Sequence, residues 1–127
     1  MEVFEAVRTL LAVRDYEDES VPNDIIRQVV EAGRLTASST NKQEWDFVLI
    51  QDRDRLRKLG ELASSGAYIA QAAFAIALLT GDYNSAPIDA GRAAQDMMLT
   101  AWAHGIGSNW VGNVGTEEIR TFLNVPA

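Results

Sequence analysis

The alternation of short apolar runs with longer segments of helical periodicity is the feature that most constrains this fold. Residues 47–50 and 74–79 are runs of apolar side chains of the kind found in buried strands. From residue 25 to residue 33, by contrast, apolar or small residues recur at i, i+1, i+4, i+5 and i+8, the spacing of one helix face. Helices interleaved with strands in this way predict an α/β or α+β class.

The same patterns give approximate boundaries for the predicted elements. The helical patterns cover residues 3–11, a helix that opens at 20–22 and includes 25–33, and residues 52–63, 67–73, 89–104 and 116–123. Strands are predicted at residues 45–51, 74–79 and 108–111. Asp89 and Thr116 are predicted to cap the last two helices, because their side chains can accept a hydrogen bond from a free backbone N–H. The first helix is predicted to be short and amphipathic, with Val3, Val7, Leu10 and Leu11 on one face.

Length, charge and cysteine content exclude several classes of protein. The chain has 127 residues, a formal net charge of −7, no cysteine and one histidine. Its length predicts one domain. Because cysteine is absent, disulfide scaffolds, thiolate metal sites and cysteine nucleophiles are excluded. The negative charge opposes binding to nucleic acid, whose phosphates attract clusters of Lys and Arg.

The sequence shows no pattern typical of an export signal or a membrane span. The first residues show no basic region followed by an apolar one, so no export signal is expected and a cytoplasmic location is predicted. The segment from Leu62 to Gly81 carries no charge, but it contains serines and is rich in alanine. A helix followed by a buried strand therefore fits that segment better than a membrane span.

No side-chain constellation for acid–base or nucleophilic catalysis can be assigned. His104 is the only imidazole and falls in the last turn of a predicted helix, where a cation is favoured in any case. There is no Gly-x-Ser-x-Gly elbow and no pair of acids that stands apart from the surface charge. Two polar segments remain as binding candidates.

The first candidate is the loop of hydroxyl and amide residues at 36–43, and the second is the segment 110–113. The loop offers donors and acceptors that could bind the edge of a planar heterocycle, although such residues also serve ordinary turns and caps. In the second segment, Gly112 would allow a ligand to approach the backbone closely.

Taken in order, these segments resemble the flavin-dependent nitroreductase family. Residues 38–45 read Ser-Ser-Thr-Asn-Lys-Gln-Glu-Trp, which is similar to the family's Ser-x-x-Asn-x-Gln-Pro-Trp signature. The opening at residues 3–9 with Val13-Arg14, the helix entry at 20–22, and residues 105–112 resemble it as well. The likeness extends over essentially the whole chain.

The resemblance implies an α+β, three-layer fold with a central mixed or antiparallel sheet flanked by helices, in which two chains interlock as a homodimer. It implies FMN as the cofactor and NAD(P)H as the electron donor. A nitroaromatic, quinone or similar planar acceptor would follow the donor in a ping-pong scheme, with no catalytic side chain and no metal. The residues it implies for cofactor binding are Arg14, Ser38, Ser39, Asn41, Gln43, Val111, Gly112 and Asn113.

Three departures from the family pattern keep alternatives open. Leu10-Leu11-Ala12 stand where the family has Arg-Arg-Ser, which removes two cations and a hydroxyl from the expected phosphate site. Glu44 replaces the usual Pro, and residues 1–127 form a single nitroreductase-like domain that lacks the family's C-terminal strand and tail. A deazaflavin cofactor, or a flavin- or ligand-binding dimer without enzyme activity, is therefore also considered.

Overall fold

Helices and strands alternate along the chain as the apolar pattern predicts. The structure is a computed structural model that describes residues 1–126. The helices are α1 (Val3–Thr9), α2 (Asn23–Arg34), α3 (Arg53–Leu62), α4 (Ala86–Ala103) and α5 (Glu117–Phe122), and short 3-10 turns lie at Ser39–Asn41 and Ala67–Gln71. The strands are β1 (Trp45–Ile50) and β2 (Ala75–Thr80).

The two strands pair with each other in one sheet. The backbone N–H of Gly81, just after β2, donates to the carbonyl of Glu44, just before β1, at 2.9 Å. The start of β1 therefore lies beside the end of β2, as in antiparallel strands.

The chain divides into two compact units. The first consists of residues 1–13, 21–47 and 78–109, and the second of residues 14–20, 48–77 and the described part of the C-terminal segment, 110–126. Each strand contributes one half of its length to each unit.

Close packing of α2 on α4 organises the first unit. Ile26, Val29 and Gly33 are the buried residues of α2, on the face that its periodicity predicts. At Gly33 a side chain would be obstructed, because a Cβ there would lie 2.6 Å from Met97 Sδ and 2.9 Å from Phe47 Cε1. Glycine at this position lets the two helices approach.

An apolar core and a half-buried arginine contact organise the second unit. The core consists of Ile50, Leu56, Leu59, Ala63, Ile69 and Ile119. The Arg53 guanidinium donates to the carbonyls of Ala70 and Ala72, at 2.5 and 2.9 Å, and so satisfies two acceptors of the turn that packs on α3. The predicted cap of α5 is confirmed, since Thr116 Oγ1 accepts from the backbone N–H of Ile119 at 3.3 Å.

The predicted cap at Asp89 is wrong. α4 begins at Ala86, preceded by Ser85 and with Pro87 in its first turn, so Asp89 lies inside the helix. Proline is well suited to the first turn because its missing N–H would have no partner there. Asp89 is completely buried and therefore has another role.

The apolar face predicted for α1 is largely exposed. Val3 is 77% exposed, Val7 54% and Leu11 65%, whereas Ala6 is the buried residue of the helix. α1 is attached to α4 through a polar contact, in which Trp102 Nε1 donates to Thr9 Oγ1 at 2.8 Å. The periodicity therefore identifies an apolar face, and within residues 1–126 Val3, Val7 and Leu11 of that face remain more than half exposed.

The strand predicted at residues 108–111 does not form. Ser108 makes a single parallel bridge with Ala12, and the N–H of Val13 donates to the Ser108 carbonyl at 2.9 Å. A strand needs a succession of such pairs, and this pairing is limited to one bridge. The residues after Ser108 would form a strand only if a neighbouring segment continued the hydrogen-bond ladder.

Among residues 1–126, none of the helices combines the length and the apolar composition that a bilayer span requires. The charge-free segment from Leu62 to Gly81 instead contains a 3-10 turn and β2.

Two glycine substitutions test the packing of α2 on α4. Gly33→Ala should destabilise the protein by about 1–3 kcal/mol, because the new methyl group overlaps buried Met97 and the Phe47 ring. Gly91→Ala in α4 is the matched control: no atom lies within 4 Å of the new Cβ. It should stabilise the protein by about 0.4–1 kcal/mol through the unfolded state. Urea unfolding measures both changes, and equal effects would contradict the packing described.

Candidate functional site

The structure places the predicted site residues in two groups, one in each unit. Ser38, Ser39, Asn41 and Gln43 lie on the loop between α2 and β1, which belongs to the first unit. The second unit contains Arg14, Val111, Gly112 and Asn113.

The loop 38–43 has an unusual backbone. Thr40, Asn41 and Gln43 have positive φ angles of 50°, 55° and 52°, in the left-handed region that residues other than glycine seldom adopt. Each such residue costs about 1–3 kcal/mol and persists only where its surroundings fix it. Thr40 is the least suited of the three, since it is β-branched. The shape of this loop must therefore be imposed by contacts with the rest of the unit.

The buried carboxylate of Asp89 supplies the main contact. Its Oδ1 and Oδ2 lie 3.0 and 3.2 Å from the backbone N of Ser39, and Oδ1 also accepts from the Ser39 hydroxyl at 3.3 Å. The Tyr83 hydroxyl donates to Oδ2 at 2.8 Å. Three donors thus converge on one carboxylate with no exposed surface.

These donors stabilise the charged form of Asp89. Burial raises the pKa of its carboxyl, but the hydrogen bonds from Tyr83 and Ser39, with the positive charge of Arg92, outweigh burial. The pKa of Asp89 therefore lies below its ordinary value. Burial also raises the pKa of the Tyr83 hydroxyl, and the neighbouring Asp89 carboxylate raises it further, so Tyr83 remains a donor.

Two further contacts complete the loop. The hydroxyl of Ser38 accepts from the backbone N–H of Gln43 at 2.8 Å, which closes the loop on itself. Lys42 Nζ lies 5.3 Å from the centroid of the Tyr83 ring, within the range of a cation–π contact. Tyr83 therefore contacts the loop through its ring and the buried carboxylate through its hydroxyl.

The side chains of Asn41 and Gln43 are left available for a ligand. Both residues are exposed, and within the described chain neither side-chain amide makes a hydrogen bond. The Ser38 hydroxyl is used within the loop, where it accepts from Gln43, and the Ser39 hydroxyl donates to Asp89. Of the four predicted loop residues, Asn41 and Gln43 thus offer free side-chain donors and acceptors, while the serines shape the backbone that presents them.

In the second unit the candidate residues differ in what they can offer. Val111 is half-buried and packs on the core, with Cγ1 filling the space beside Gly66, so its backbone rather than its side chain is open to a ligand. Asn113 has a φ of 56°. At Gly112 the nearest atom to a hypothetical Cβ is Trp110 Nε1, at 3.7 Å, so close approach of a ligand is possible.

Residues 10–12 offer no charged side chain to the phosphate of a cofactor. Leu11 is exposed, and Ala12 pairs with Ser108. Arg14, in the second unit, is exposed and is close enough to Tyr16 for its charge to oppose the rise in the Tyr16 pKa that burial causes. Among the predicted cofactor-binding residues, Arg14 is the one with a positively charged side chain.

Asp89 and Tyr83 are functional candidates that sequence reasoning missed. The signal was present in residues 85–87: Ser85 followed by Pro87 marks an earlier helix start and leaves Asp89 without a capping role. The sequence does not indicate which group contacts the buried carboxylate, because Ser39 lies 50 residues away along the chain.

The lowered pKa of Asp89 predicts a specific loss of stability in acid. A group whose pKa is lowered by folding contributes stability above its unfolded pKa, about 3.9 for Asp, and the contribution is lost as the pH falls through the folded pKa. Asp89→Asn should therefore lose less unfolding free energy than the wild type between about pH 7 and pH 3. Urea unfolding across this range measures the difference.

Asp54→Asn, which removes an exposed carboxylate from α3, controls for the loss of one negative charge. Parallel pH curves for the wild type and Asp89→Asn would contradict the role given to the buried carboxylate.

Comparison with known proteins matches the chain to the Nitroreductase family model, over residues 11–81 and 68–127. A Methanothermobacter thermautotrophicus protein, provisionally named NADH dehydrogenase/NAD(P)H nitroreductase, is 29% identical over 136 residues, covering 99% of this chain and 71% of that protein. The FMN reductase (NAD(P)H) of Bacillus subtilis is 33% identical over 87 residues, covering 68% of this chain and 34% of that protein.

Solved structures agree with the family match. The FMN-dependent nitroreductase of Clostridium difficile R20291 has a TM-score of 0.88 and 25% identity, covering 98% of this chain and 79% of that one. The predicted α+β class and nitroreductase-like fold are confirmed by this similarity. With the family model matched along most of its length, the chain belongs to the nitroreductase family.

Proposed function

We propose that this protein is an FMN-dependent oxidoreductase that takes a hydride from NAD(P)H and reduces a planar acceptor, such as a nitroaromatic or a quinone. Family membership and the names of its relatives support an NAD(P)H-dependent flavin oxidoreductase. The observation that carries the proposal is the loop 38–43, in which a buried carboxylate fixes a left-handed backbone while Asn41 stays exposed.

The free amides of the loop fit the ring of a flavin. An amide has both donors and an acceptor, and a flavin ring has polar atoms of both kinds along its edge. We assign ring or ribityl contacts to Asn41 and Gln43, with Ser38 and Ser39 shaping the loop. Sites that bind a planar ligand combine such fixed polar groups with apolar cover, and Trp45, the first residue of β1, lies two positions after Gln43.

We assign the phosphate to Arg14, because a guanidinium can bind a phosphate through two parallel hydrogen bonds. Leu10, Leu11 and Ala12 add no charge there, and Lys42 lies over the Tyr83 ring. The backbone of Val111, Gly112 and Asn113 is assigned to the side of the flavin that exchanges hydride, since Gly112 presents no side chain.

Bound FMN would supply the redox chemistry, and the residues of this chain would bind and orient it. Hydride donor and acceptor would occupy the site in turn, in a ping-pong scheme, and no side-chain acid or base is assigned. NAD(P)H is an intracellular electron donor, which agrees with the predicted cytoplasmic location.

We also propose that the protein is a homodimer. Within residues 1–126, the apolar side chains of α1 and its flanks, Met1, Val3, Phe4, Val7 and Leu11, are each 54–77% exposed. An apolar surface of this kind is usually covered by a partner.

FMN binding by the purified protein is the first test. A visible spectrum with flavin bands, retained after gel filtration, is expected, and mass analysis of the released ligand would distinguish FMN from a deazaflavin. Asn41→Ala should weaken FMN binding by about tenfold, the effect of losing one or two hydrogen bonds. Asn23→Ala, an exposed residue of α2, makes the same chemical change away from the loop and should bind FMN as the wild type does.

Steady-state oxidation of NAD(P)H with a nitroaromatic or quinone acceptor then separates an enzyme from a binding protein. Turnover that depends on added FMN supports the proposed activity. FMN binding without turnover would favour the flavin-binding dimer, and a protein that remains colourless in excess FMN would contradict both.

Dimerisation can be tested by placing a charge on the α1 face. Val7→Lys should shift the light-scattering mass toward the monomer, because burying an unpaired ammonium group in an apolar interface is costly. Leu49→Lys is the matched control: it places the same charge at an apolar residue that is 41% exposed, on β1. A monomeric wild type, or equal dissociation of both variants, would rule out an interface at α1.

A further inference from the structure

We propose that Asp89 and Tyr83 are positioning residues, which set the conformation of loop 38–43 and thereby its affinity for FMN. This inference rests on the proposed function for its cofactor. It assigns a role to two side chains that belong to neither group of predicted ligand-binding residues.

The Asp89–Tyr83 pair contacts the loop at two points. Asp89 accepts from the backbone N–H of Ser39, and the Tyr83 hydroxyl, 2.8 Å from Asp89 Oδ2, orients the carboxylate. The Tyr83 ring lies beneath Lys42, at the other side of the 3-10 turn. The turn is thus attached at both sides to a short stretch of chain at the start of α4.

Between those two points lie the residues whose backbone needs external support. Thr40 and Asn41 are left-handed, and the hydrogen bonds within the loop, which include those from Gln43 N–H to Ser38 and from Asn41 N–H to the Ser38 carbonyl, close it without fixing it to the unit. Asp89 provides the fixed point, because it is fully buried in α4. Its hydrogen bonds therefore select one loop conformation over more relaxed ones.

Asn41 is the residue through which this selection would reach the cofactor. It follows Ser39 by two positions, and its side chain makes no hydrogen bond within residues 1–126. The backbone therefore determines the direction in which this side chain leaves the chain. If the backbone relaxes, the amide is still present but is no longer pre-organised. The cost of ordering the loop then offsets part of the binding free energy.

The first experiment measures the loop without cofactor. Tyr83→Phe removes one hydroxyl, and Asp89→Asn preserves volume while removing the charge. Amide hydrogen exchange at Ser39 and the neighbouring loop residues should be about tenfold faster in both variants, as expected for the loss of a hydrogen bond to a charged group. Trp102→Phe removes a half-buried hydrogen bond from the same helix to Thr9, away from the loop, and should leave loop exchange unchanged.

The second experiment measures FMN affinity in a double-mutant cycle. Tyr83→Phe and Asp89→Asn should each raise the Kd for FMN by about tenfold, and Trp102→Phe should not. Asn41→Ala should raise the Kd less in the Asp89→Asn background than in the wild type, because the amide is already misplaced there. A purely stabilising role for Asp89 would give independent, multiplicative effects.

The outcomes separate the two proposals. The positioning role would be overturned if the loop amides exchanged at the wild-type rate in both Tyr83→Phe and Asp89→Asn. It would also be overturned if Asp89→Asn and Asn41→Ala had multiplicative effects on the Kd for FMN. Neither result would contradict FMN binding itself. A wild-type protein that does not bind FMN would overturn the proposed function and the cofactor part of this inference, whereas exchange would still decide whether the pair holds the loop.

Discussion

Close contact between α2 and α4 is the constraint on which the first unit depends. At Gly33 the two helices are near enough that Met97 and Phe47 occupy the space of a side chain. This contact fixes the C-terminal end of α2, and therefore the point from which the polar loop starts. It also brings the first turn of α4 within hydrogen-bonding distance of Ser39. Packing of apolar groups thus determines where the polar groups of the candidate site can meet.

Once that packing is in place, a buried charge can serve a structural purpose. An unpaired carboxylate in the interior would be strongly unfavourable, but Asp89 receives hydrogen bonds from a backbone N–H and two hydroxyl groups. The same bonds compensate the left-handed residues that follow Ser39. A costly burial and a costly backbone conformation are therefore stabilised by one set of contacts, and neither would persist without the other.

The parts of the fold that depend on local patterns could be predicted from the sequence. The α2 stripe that ends at Gly33, the capping of α5 by Thr116, and β1 each follow from a few neighbouring residues. Errors occurred where a distant contact decides the outcome. Residues 108–111 have strand-like composition, but their pairing is limited to the single bridge between Ser108 and Ala12.

The candidate site shows the same division. The family could be recognised from the ordered motifs, above all residues 38–45, and the loop was selected as a binding candidate for its hydroxyl and amide groups. Its internal arrangement could not be foreseen, because serine hydroxyls look equally suited to ligand and backbone until their partners are known. Asp89 was assigned to a helix end since its true partners, Ser39 and Tyr83, are identified only by the three-dimensional fold.

The sequence separation between Ser39 and Asp89 also orders events during synthesis of the chain. Because Asp89 is translated 50 residues after Ser39, the loop leaves the ribosome without its acceptor. At about 5–20 residues per second, the interval is roughly 3–10 s. Throughout that time Thr40 and Asn41 have no reason to adopt left-handed angles. The nascent chain therefore cannot complete this loop until the start of α4 has emerged, so the loop conformation that we propose for FMN binding arises at a late stage of its maturation.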